Sequence, residues 1–242
     1  MRQALAVLVL LIAAAPAAAR VRPARAPHRI LWIGAHPDDE ILLSPLLGRD
    51  CVERGAACAM LVMTRGEAGG SAEVRSGELA ASAAMLHATL TQWTFADVMA
   101  DVDATWSAAA GGREALLDRI AAAIDAASPS VVYTFDPRHG STCHPAHRAI
   151  GALVVEAMAR RGIAAPLYFV ETTSSFASAV ADPIVIDAAP FWSYLVRDAQ
   201  IHASQFPAAQ VETFANLPAN QRRVYLIDAK DAARAIYSLT CP

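Results

Sequence analysis

The sequence predicts an α/β fold in which helices cover both faces of a mostly parallel sheet. Short apolar runs typical of buried strands alternate along the chain with longer segments of helical periodicity. The distance from one run to the next leaves room for a helix, which is typical of right-handed βαβ units. Two polar loops that contain histidines each directly follow an apolar run. We therefore expect a Rossmann-like three-layer sandwich with its active site at the C-terminal ends of the strands.

Each element is predicted from its local pattern. Short apolar runs that contain β-branched or aromatic residues predict strands, at 30–35, 57–63, 91–95, 130–135, 166–171 and 223–228. Segments with helical periodicity predict helices, at 39–54, 72–88, 113–127, 144–161 and near 188–202. Gly55 ends the first predicted helix. In the second, four apolar residues lie near one stripe, namely Val74, Leu79, Ala83 and Leu86.

The N-terminus has the pattern of a secretory signal peptide at residues 1–19. Arg2 supplies a short positive region, an apolar stretch follows at 4–15, and small residues stand at the expected cleavage site. A spanning helix needs about 20 apolar residues, and this run is shorter, which favours a cleaved signal peptide over the alternative of an uncleaved membrane anchor. We expect a secreted or periplasmic protein with a basic linker at 20–29, one domain at 30–242 and no stable membrane insertion.

The composition excludes some functions. The net charge is −3 and no basic stripe is present, so nucleic acid is not an expected partner.

The four cysteines form no C-x-x-C pair, which argues against a thiolate zinc site. Export would permit a bridge between Cys143 and Cys241 that ties down the C-terminus, with two free thiols as the alternative. Cys51 and Cys58 read equally as buried small side chains or as a disulfide.

The first polar loop lies in the stretch WIGAHPDDE, where three acids follow an apolar run. Adjacent carboxylates repel one another, and a bound divalent cation would offset that repulsion. His36 and Asp39 are three residues apart across a tight turn, so both could reach one ion. Asp38 would then project in another direction. As the alternative, Asp38 or Asp39 caps the helix that follows.

The second loop follows the predicted strand 130–135 and contains His144 and His147, at i and i+3 near a helix start. Two imidazoles and one carboxylate from the two loops would give a three-ligand zinc site with open positions, which is the catalytic type. Such a metal lowers the pKa of water and polarises a carbonyl. Asp38 would be free to take the proton from that water.

These motifs together resemble the LmbE/PIG-L family of zinc-dependent de-N-acetylases. The resemblance rests on AHPDDE and the later HPxH, with weaker matches in TRGEAGG, EVRSGELAASAAMLHA and IHASQ. It implies that His36, Asp39 and His147 bind one Zn²⁺ per chain. It also implies that Asp38 is the general base and that His144 stabilises the oxyanion or donates a proton.

The resemblance further implies that Arg75 and Asp97 contact or frame the substrate. One position departs from the family pattern. The family usually has HPDH, in which the Asp orients the neighbouring histidine, whereas this chain has HPAH with Ala146. The orienting partner of His144 is therefore missing from the sequence.

We expect an exported zinc-dependent hydrolase that removes an acyl group, in the first place acetyl, from an N-acylated amino sugar or related amide. The expected partner is a small-molecule or glycan substrate. The alternatives are an amidase for a different amide, such as an antibiotic or thiol conjugate, and a non-catalytic secreted carbohydrate-binding module that retains the fold. Ala146 motivates the second alternative, and the retained Asp38 argues against it.

Simpler structural explanations exist for several residues. Arg75 could merely pair with Glu78 at i and i+3. His202, in IHASQ, is as well explained by packing as by a role in the site. Glu40 is expected to pair with a nearby cation or backbone donor. Trp106 could be a core residue or a sugar platform.

Overall fold

The computed structural model describes residues 28–171, 183–232 and Cys241. The predicted signal peptide, 1–19, lies outside the described residues, as does all but the end of the predicted linker, 20–29. No helix in the described ranges is long and apolar enough to cross a bilayer.

The described residues contain a seven-stranded sheet with the order β3-β2-β1-β4-β5-β7-β6. The strands are β1 (Arg29–Gly34), β2 (Ala57–Thr64), β3 (Ala88–Phe95), β4 (Val131–Thr134), β5 (Leu167–Glu171), β6 (Ile184–Asp187) and β7 (Arg223–Asp228). The first five strands are parallel. Strand β7 is antiparallel to both β5 and β6. The predicted mostly parallel sheet is confirmed.

Strand β1 lies at the centre, with β2 on one side and β4 on the other. Trp32 of β1 is in register with Met60 of β2 and with Tyr133 of β4. The chain therefore reverses its direction of winding at β1, and ligands in open α/β sheets bind in the crevice at such a point. The two histidine loops leave from neighbouring strands at this crevice.

Helices contact one another in two groups. They are α1 (Ser44–Leu47), α2 (Ala72–Met85), α3 (Val102–Ala109), α4 (Arg113–Ala127), α5 (Gly140–Cys143), α6 (Pro145–Arg161), α7 (Trp192–Ile201) and α8 (Ala208–Ala215). Helices α3, α4 and α6 contact each other, whereas α7 contacts α1, α2 and α8. With the sheet, these groups give the predicted three layers.

The predicted helix 39–54 is instead a series of short turns. A 3₁₀ turn at Asp39–Leu42 leads into α1, and a wider π-type turn at Gly48–Glu53 ends the segment. Pro45 lies in the first turn of α1, where its missing N–H leaves no hydrogen bond unmade. The helical periodicity was read correctly, but the proline does not allow one continuous helix.

Helices α3 and α8 and strand β6 were not predicted, because each is short. Trp106 of α3 is fully buried, and its Nε1 donates to the Ala96 carbonyl at 2.9 Å. This tryptophan is therefore a core residue and not a sugar platform. In α2, Leu79 and Ala83 are buried as expected, as is Leu86 directly after the helix, but Val74 is 51% exposed.

Helix α6 packs unusually close to the end of β4. A Cβ at Gly151 would lie 2.2 Å from the Phe135 carbonyl oxygen, so only glycine permits this approach. The same helix carries His147, whose ring stacks on Phe135 with centroids 4.0 Å apart. The close packing of α6 thus places His147 at the crevice.

Two disulfides join the four cysteines, Cys51 to Cys58 and Cys143 to Cys241. The suspected Cys143–Cys241 bridge is confirmed. It spans 98 residues of sequence and ties the chain end to the loop that precedes His144. For Cys51 and Cys58, the structure shows the disulfide and not two separate thiols.

We expect Gly151→Ala to destabilise the protein by about 1–3 kcal/mol, because backbone must move to admit the methyl group. Gly77→Ala is the matched control, since Gly77 lies inside α2 and an added Cβ there would meet only open space. That change should stabilise by about 0.5–1 kcal/mol. Denaturant unfolding of both variants measures the difference, and equal effects would contradict the packing described.

Removal of Cys143–Cys241 should destabilise more than removal of Cys51–Cys58. The chain-entropy model gives about 4.7 kcal/mol for a loop of about 100 residues and about 2–3 kcal/mol for a loop of seven. Thermal unfolding of the two double-serine variants tests the order. Peptide mapping without reductant should first recover both bridges, and any other pairing would refute the assignment.

Candidate metal centre and active site

A cavity of about 400 Å³ lies at the C-terminal ends of the central strands. The loop after β1, the glycine loop after β2, the segment after β3 and the start of α6 all contribute to it. Its lining residues include all seven predicted site residues, His36, Asp38, Asp39, Arg75, Asp97, His144 and His147. The structure therefore brings together all of the predicted catalytic, substrate-binding and metal-binding residues.

Three of these residues direct a nitrogen or oxygen atom toward a common point. His36 Nδ1 is 3.3 Å from His147 Nε2. Asp39 Oδ1 lies 3.0 Å from His147 Nε2 and 3.6 Å from His36 Nδ1. Tetrahedral zinc with ligands at about 2.0–2.2 Å requires edges of about 3.4 Å between ligand atoms. The triangle formed by the three atoms matches that requirement, so this donor set fits Zn²⁺.

Backbone groups hold Asp39 and His147 in this arrangement. Asp39 Oδ2 accepts hydrogen bonds from the Ala35 and His36 amides at 2.7 and 2.8 Å, which turns Oδ1 toward the imidazoles. His147 Nδ1 donates to the Gly140 carbonyl at 3.0 Å, so a neutral ring has its lone pair on Nε2. Burial opposes ionisation, but His147 and His36 hold the pKa of Asp39 well below its usual range.

Asp97 lies behind His36. Its Oδ1 is 3.1 Å from His36 Nε2, although the two groups are not aligned as in a regular hydrogen bond. Burial favours a neutral His36, but Asp39 and Asp97 outweigh that effect and raise its pKa to about 10. Asp97 Oδ2 also accepts from the Ala68 amide at 3.2 Å. These contacts support a role in framing the site, and direct contact of Asp97 with substrate stays a prediction.

Asp38 projects away from the donor triangle, as expected. Its φ of 101° is in the left-handed region, which is strained for a residue with a side chain. Its Oδ1 lies 3.1 Å from Arg75 Nη2. Burial and the charge of Asp39 raise the pKa of Asp38 to about 7, against the opposing effect of Arg75. A carboxylate with a pKa near neutrality suits a general base.

Arg75 is buried and supports the Asp38 loop. Its guanidinium donates to the Pro37 carbonyl at 2.6 Å and to the Gly66 carbonyl at 2.7 Å. Gly66 has a φ of 70°, and a Cβ there would lie 2.4 Å from Arg75 Nη1, so glycine makes room for the guanidinium. The alternative pairing with Glu78 does not occur, because Glu78 accepts from Ser204.

His144 is half-buried at the N-terminus of α6, and its ring centroid is 4.7 Å from that of His36. Its Nδ1 accepts a hydrogen bond from the Ala146 amide at 3.2 Å. Burial and the nearby imidazoles of His147 and His36 lower the pKa of His144 to about 4. The neutral ring therefore carries its hydrogen on Nε2. The backbone thus supplies the partner that the sequence lacks at Ala146.

Glu40 and His202 form a fully buried pair under the site. His202 Nε2 is 2.7 Å from Glu40 Oε1. Burial would lower the pKa of His202, but the bond to Glu40 and the neighbouring carboxylates raise it to about 9. Glu40 has the cationic partner that was expected of it. His202 is buried, as the packing explanation predicts, and it also makes a hydrogen bond to Glu40.

Sequence reasoning missed several residues that shape the site. Phe135 stacks on His147, and Gly140 fixes its tautomer. Gln205 lines the cavity and donates to the Gly69 carbonyl at 3.2 Å. Only Gln205 carried a signal, as the last residue of IHASQ. A carbonyl or a stacking ring has no such signal, because its role depends on how α6 packs.

Comparison with known proteins agrees with this geometry. Residues 31–158 match the PIG-L family, described as GlcNAc-PI de-N-acetylase. The 1D-myo-inositol 2-acetamido-2-deoxy-alpha-D-glucopyranoside deacetylase of Kineococcus radiotolerans is 32% identical over 164 residues, which cover 54% of this chain and 45% of that protein. The chain thus spans about half the length of this curated relative.

Two solved structures share the fold. N,N'-diacetylchitobiose deacetylase from Pyrococcus horikoshii superposes with a TM-score of 0.61 at 17% identity, over 84% of each chain. The 4-carboxy-2-hydroxymuconate hydratase from Pseudomonas putida KT2440 superposes with a TM-score of 0.65 at 16% identity, over 84% of this chain and 96% of that one. One fold therefore serves both a deacetylase and a hydratase, so the fold alone does not define the reaction.

The family match covers more than half of the sequence and includes both histidine loops. The resemblance read from the motifs is thereby confirmed, and the chain belongs to the PIG-L family.

Proposed function

We propose that this protein is a zinc-dependent hydrolase that removes an acyl group, in the first place acetyl, from an N-acylated amino sugar or related amide. The observation that carries the proposal is the triangle of His36, Asp39 and His147, with the separate carboxylate of Asp38 on the same cavity. A metal-binding module without catalysis would not need Asp38 in a strained backbone conformation.

In this proposal, His36 Nδ1, Asp39 Oδ1 and His147 Nε2 would hold one Zn²⁺ per chain. Zn²⁺ bound there would lower the pKa of water and polarise the amide carbonyl. The contacts of His147 with Gly140 and of His36 with Asp97 hold both rings so that the ligand nitrogens face the cavity.

Asp38 accepts the proton of the attacking water as the water oxygen bonds to the carbonyl carbon. Its raised pKa lets it hold that proton near neutral pH. Arg75 keeps the carboxylate in place through Oδ1. The proton then passes to the amine nitrogen as the carbon–nitrogen bond breaks, and the products are a carboxylic acid and a free amine.

His144 stabilises the tetrahedral intermediate in this proposal. Because its Nδ1 accepts from the Ala146 amide, the hydrogen on Nε2 is available to the developing oxyanion. Its lowered pKa argues for hydrogen-bond donation by a neutral ring instead of proton donation by a charged one.

The substrate class rests on the family and its relative. The matched family is described as a GlcNAc-PI de-N-acetylase, and the curated relative is named for an acetamido sugar. The cavity of about 400 Å³ is lined by polar groups, among them Gln205, while the exposed Met99 supplies an apolar rim. This combination suits a polar ring that carries a small apolar acyl group.

We also propose that the protein is exported to a secreted or periplasmic location and that 30–242 form one domain. The pattern of residues 1–19 supports export. Both disulfides agree with it, because disulfides persist in oxidising compartments.

Asp38→Asn should lower kcat by about 10²–10⁴-fold and leave close to one zinc per chain, because it removes the base without removing a ligand. The assay is amine release from a panel of N-acetylated amino sugars and other amides, with zinc measured on the same samples.

Asp39→Asn is the matched control, since the neighbouring residue undergoes the same chemical change. It should lower zinc content together with activity. If Asp38→Asn loses zinc and Asp39→Asn retains it, the two roles are exchanged. A wild-type protein that takes up no zinc, or that releases amine from nothing in the panel, refutes the proposed function.

His144→Ala should lower kcat by about 10²–10³-fold, as expected for loss of one oxyanion donor, with zinc content unchanged. His144→Gln should recover part of that loss, because its amide can donate near the position of Nε2. His147→Ala, on the same helix turn, should instead remove zinc. Loss of zinc in His144→Ala would make His144 a ligand, an arrangement that the clustering of all three imidazoles also permits.

A further inference from the structure

The group buried under the candidate active site comprises Glu40, Asp198 and His202, all fully inaccessible to solvent. One ligand atom from each lies within 4.8 Å of the others. The separation of 2.7 Å between His202 Nε2 and Glu40 Oε1 is a hydrogen-bond distance, shorter than the edge of about 3.4 Å in a tetrahedral zinc site. A proton therefore joins these two side chains, and we assign no second metal here.

Glu40 connects this pair to the candidate base. Its Oε1 accepts from His202, and its Oε2 accepts from the Asp38 backbone amide at 3.2 Å. Asp38 has a φ of 101°, a conformation that needs support from its surroundings. The bond from the Asp38 amide to Glu40 supplies such support at the backbone, whereas Arg75 contacts the Asp38 carboxylate.

His202 is itself held from two sides. Its amide donates to the Asp198 carbonyl at the end of α7 at 3.0 Å. Two residues later, Ser204 donates to the Glu78 carboxylate from its amide at 2.8 Å and from its hydroxyl at 2.6 Å. Helix α2 therefore fixes the turn that carries His202, and the imidazole has little freedom to leave Glu40.

We propose that His202 is a positioning residue that acts through Glu40 to fix the Asp38 backbone, and thereby the direction of the Asp38 carboxylate. This inference rests on the proposed function, in which Asp38 is the base. Asp39, His36 and His147 are held by the Ala35 amide, Asp97 and the Gly140 carbonyl, none of which belongs to this network.

Loss of the His202 donor would leave a buried carboxylate without its main partner. Glu40 would then turn toward another donor or take up a proton, and Oε2 would no longer hold the Asp38 amide. Asp38 could relax from its strained conformation and point its carboxylate elsewhere. We therefore expect kcat to fall while zinc binding and substrate binding are retained, because the metal ligands and the cavity wall remain in place.

The test compares His202→Gln with His202→Asn. A glutamine amide reaches about as far as imidazole Nε2 and can still donate to Glu40, whereas an asparagine amide reaches only the position of Nδ1, toward Glu78. We expect His202→Asn to lower kcat by about 10- to 100-fold with KM and zinc content near wild type. His202→Gln should retain most of the turnover.

Leu195→Ala controls for destabilisation, since it removes core packing from α7 and carries no bond of the network. It should lower the melting temperature without lowering kcat. Equal kcat in the Gln and Asn variants, or a loss of kcat in Leu195→Ala that matches the loss in His202→Asn, would overturn the proposal. A fall in zinc content in step with kcat would overturn it too.

A second measurement does not depend on activity. In wild-type protein, the Asp38 amide should be protected from hydrogen exchange, and His202→Asn should remove that protection while His202→Gln preserves it. An unprotected Asp38 amide in the wild type refutes the network. If the wild type releases no amine but this exchange pattern appears, the proposed function fails and the Glu40–His202 support stands.

Discussion

The arrangement of this site depends on how three consecutive carboxylates are kept apart. Each acid after Pro37 has a partner on a different element. Asp39 faces the imidazoles of His36 and His147, Asp38 meets Arg75 of α2, and Glu40 meets His202 after α7. Neighbouring negative charges in a buried loop would otherwise destabilise the fold or take up protons. Because each acid has its own partner, Asp39 can be the candidate metal ligand, Asp38 the candidate base and Glu40 the residue that supports the Asp38 backbone.

This charge distribution constrains the topology. The loop must leave from the centre of the sheet, because its partners come from α6, from α2 and from the turn after α7, and these helices lie in both helical groups. Strand β1 has that central position. Close packing then sets the distances: Gly151 brings α6 against Phe135, and Gly66 leaves space for the Arg75 guanidinium. Small residues far apart in sequence thus fix the geometry of the charged ones.

The sequence alone predicted the central strands and both histidine loops, because their apolar runs and motifs are local. It assigned 113–127 to a helix with its observed bounds. It missed the division of the first helix, although Pro45 is a local signal for that break. It could not reveal that Glu40 and His202, 162 residues apart, make one hydrogen bond. It likewise left Arg75 between framing the substrate and pairing with Glu78. The contact of Arg75 with Asp38 was not predicted, because it follows from the path of the glycine loop.

The hydrogen bond from the Ala146 amide to His144 makes the orientation of that imidazole robust to mutation. A side-chain partner is lost with almost any substitution, whereas a backbone amide is lost only with proline. The side chain at position 146 is fully buried, so the space available restricts which residues fit there, and no particular functional group is required. Because the backbone supplies this hydrogen bond, residue 146 can be any small side chain while the imidazole keeps the same tautomer.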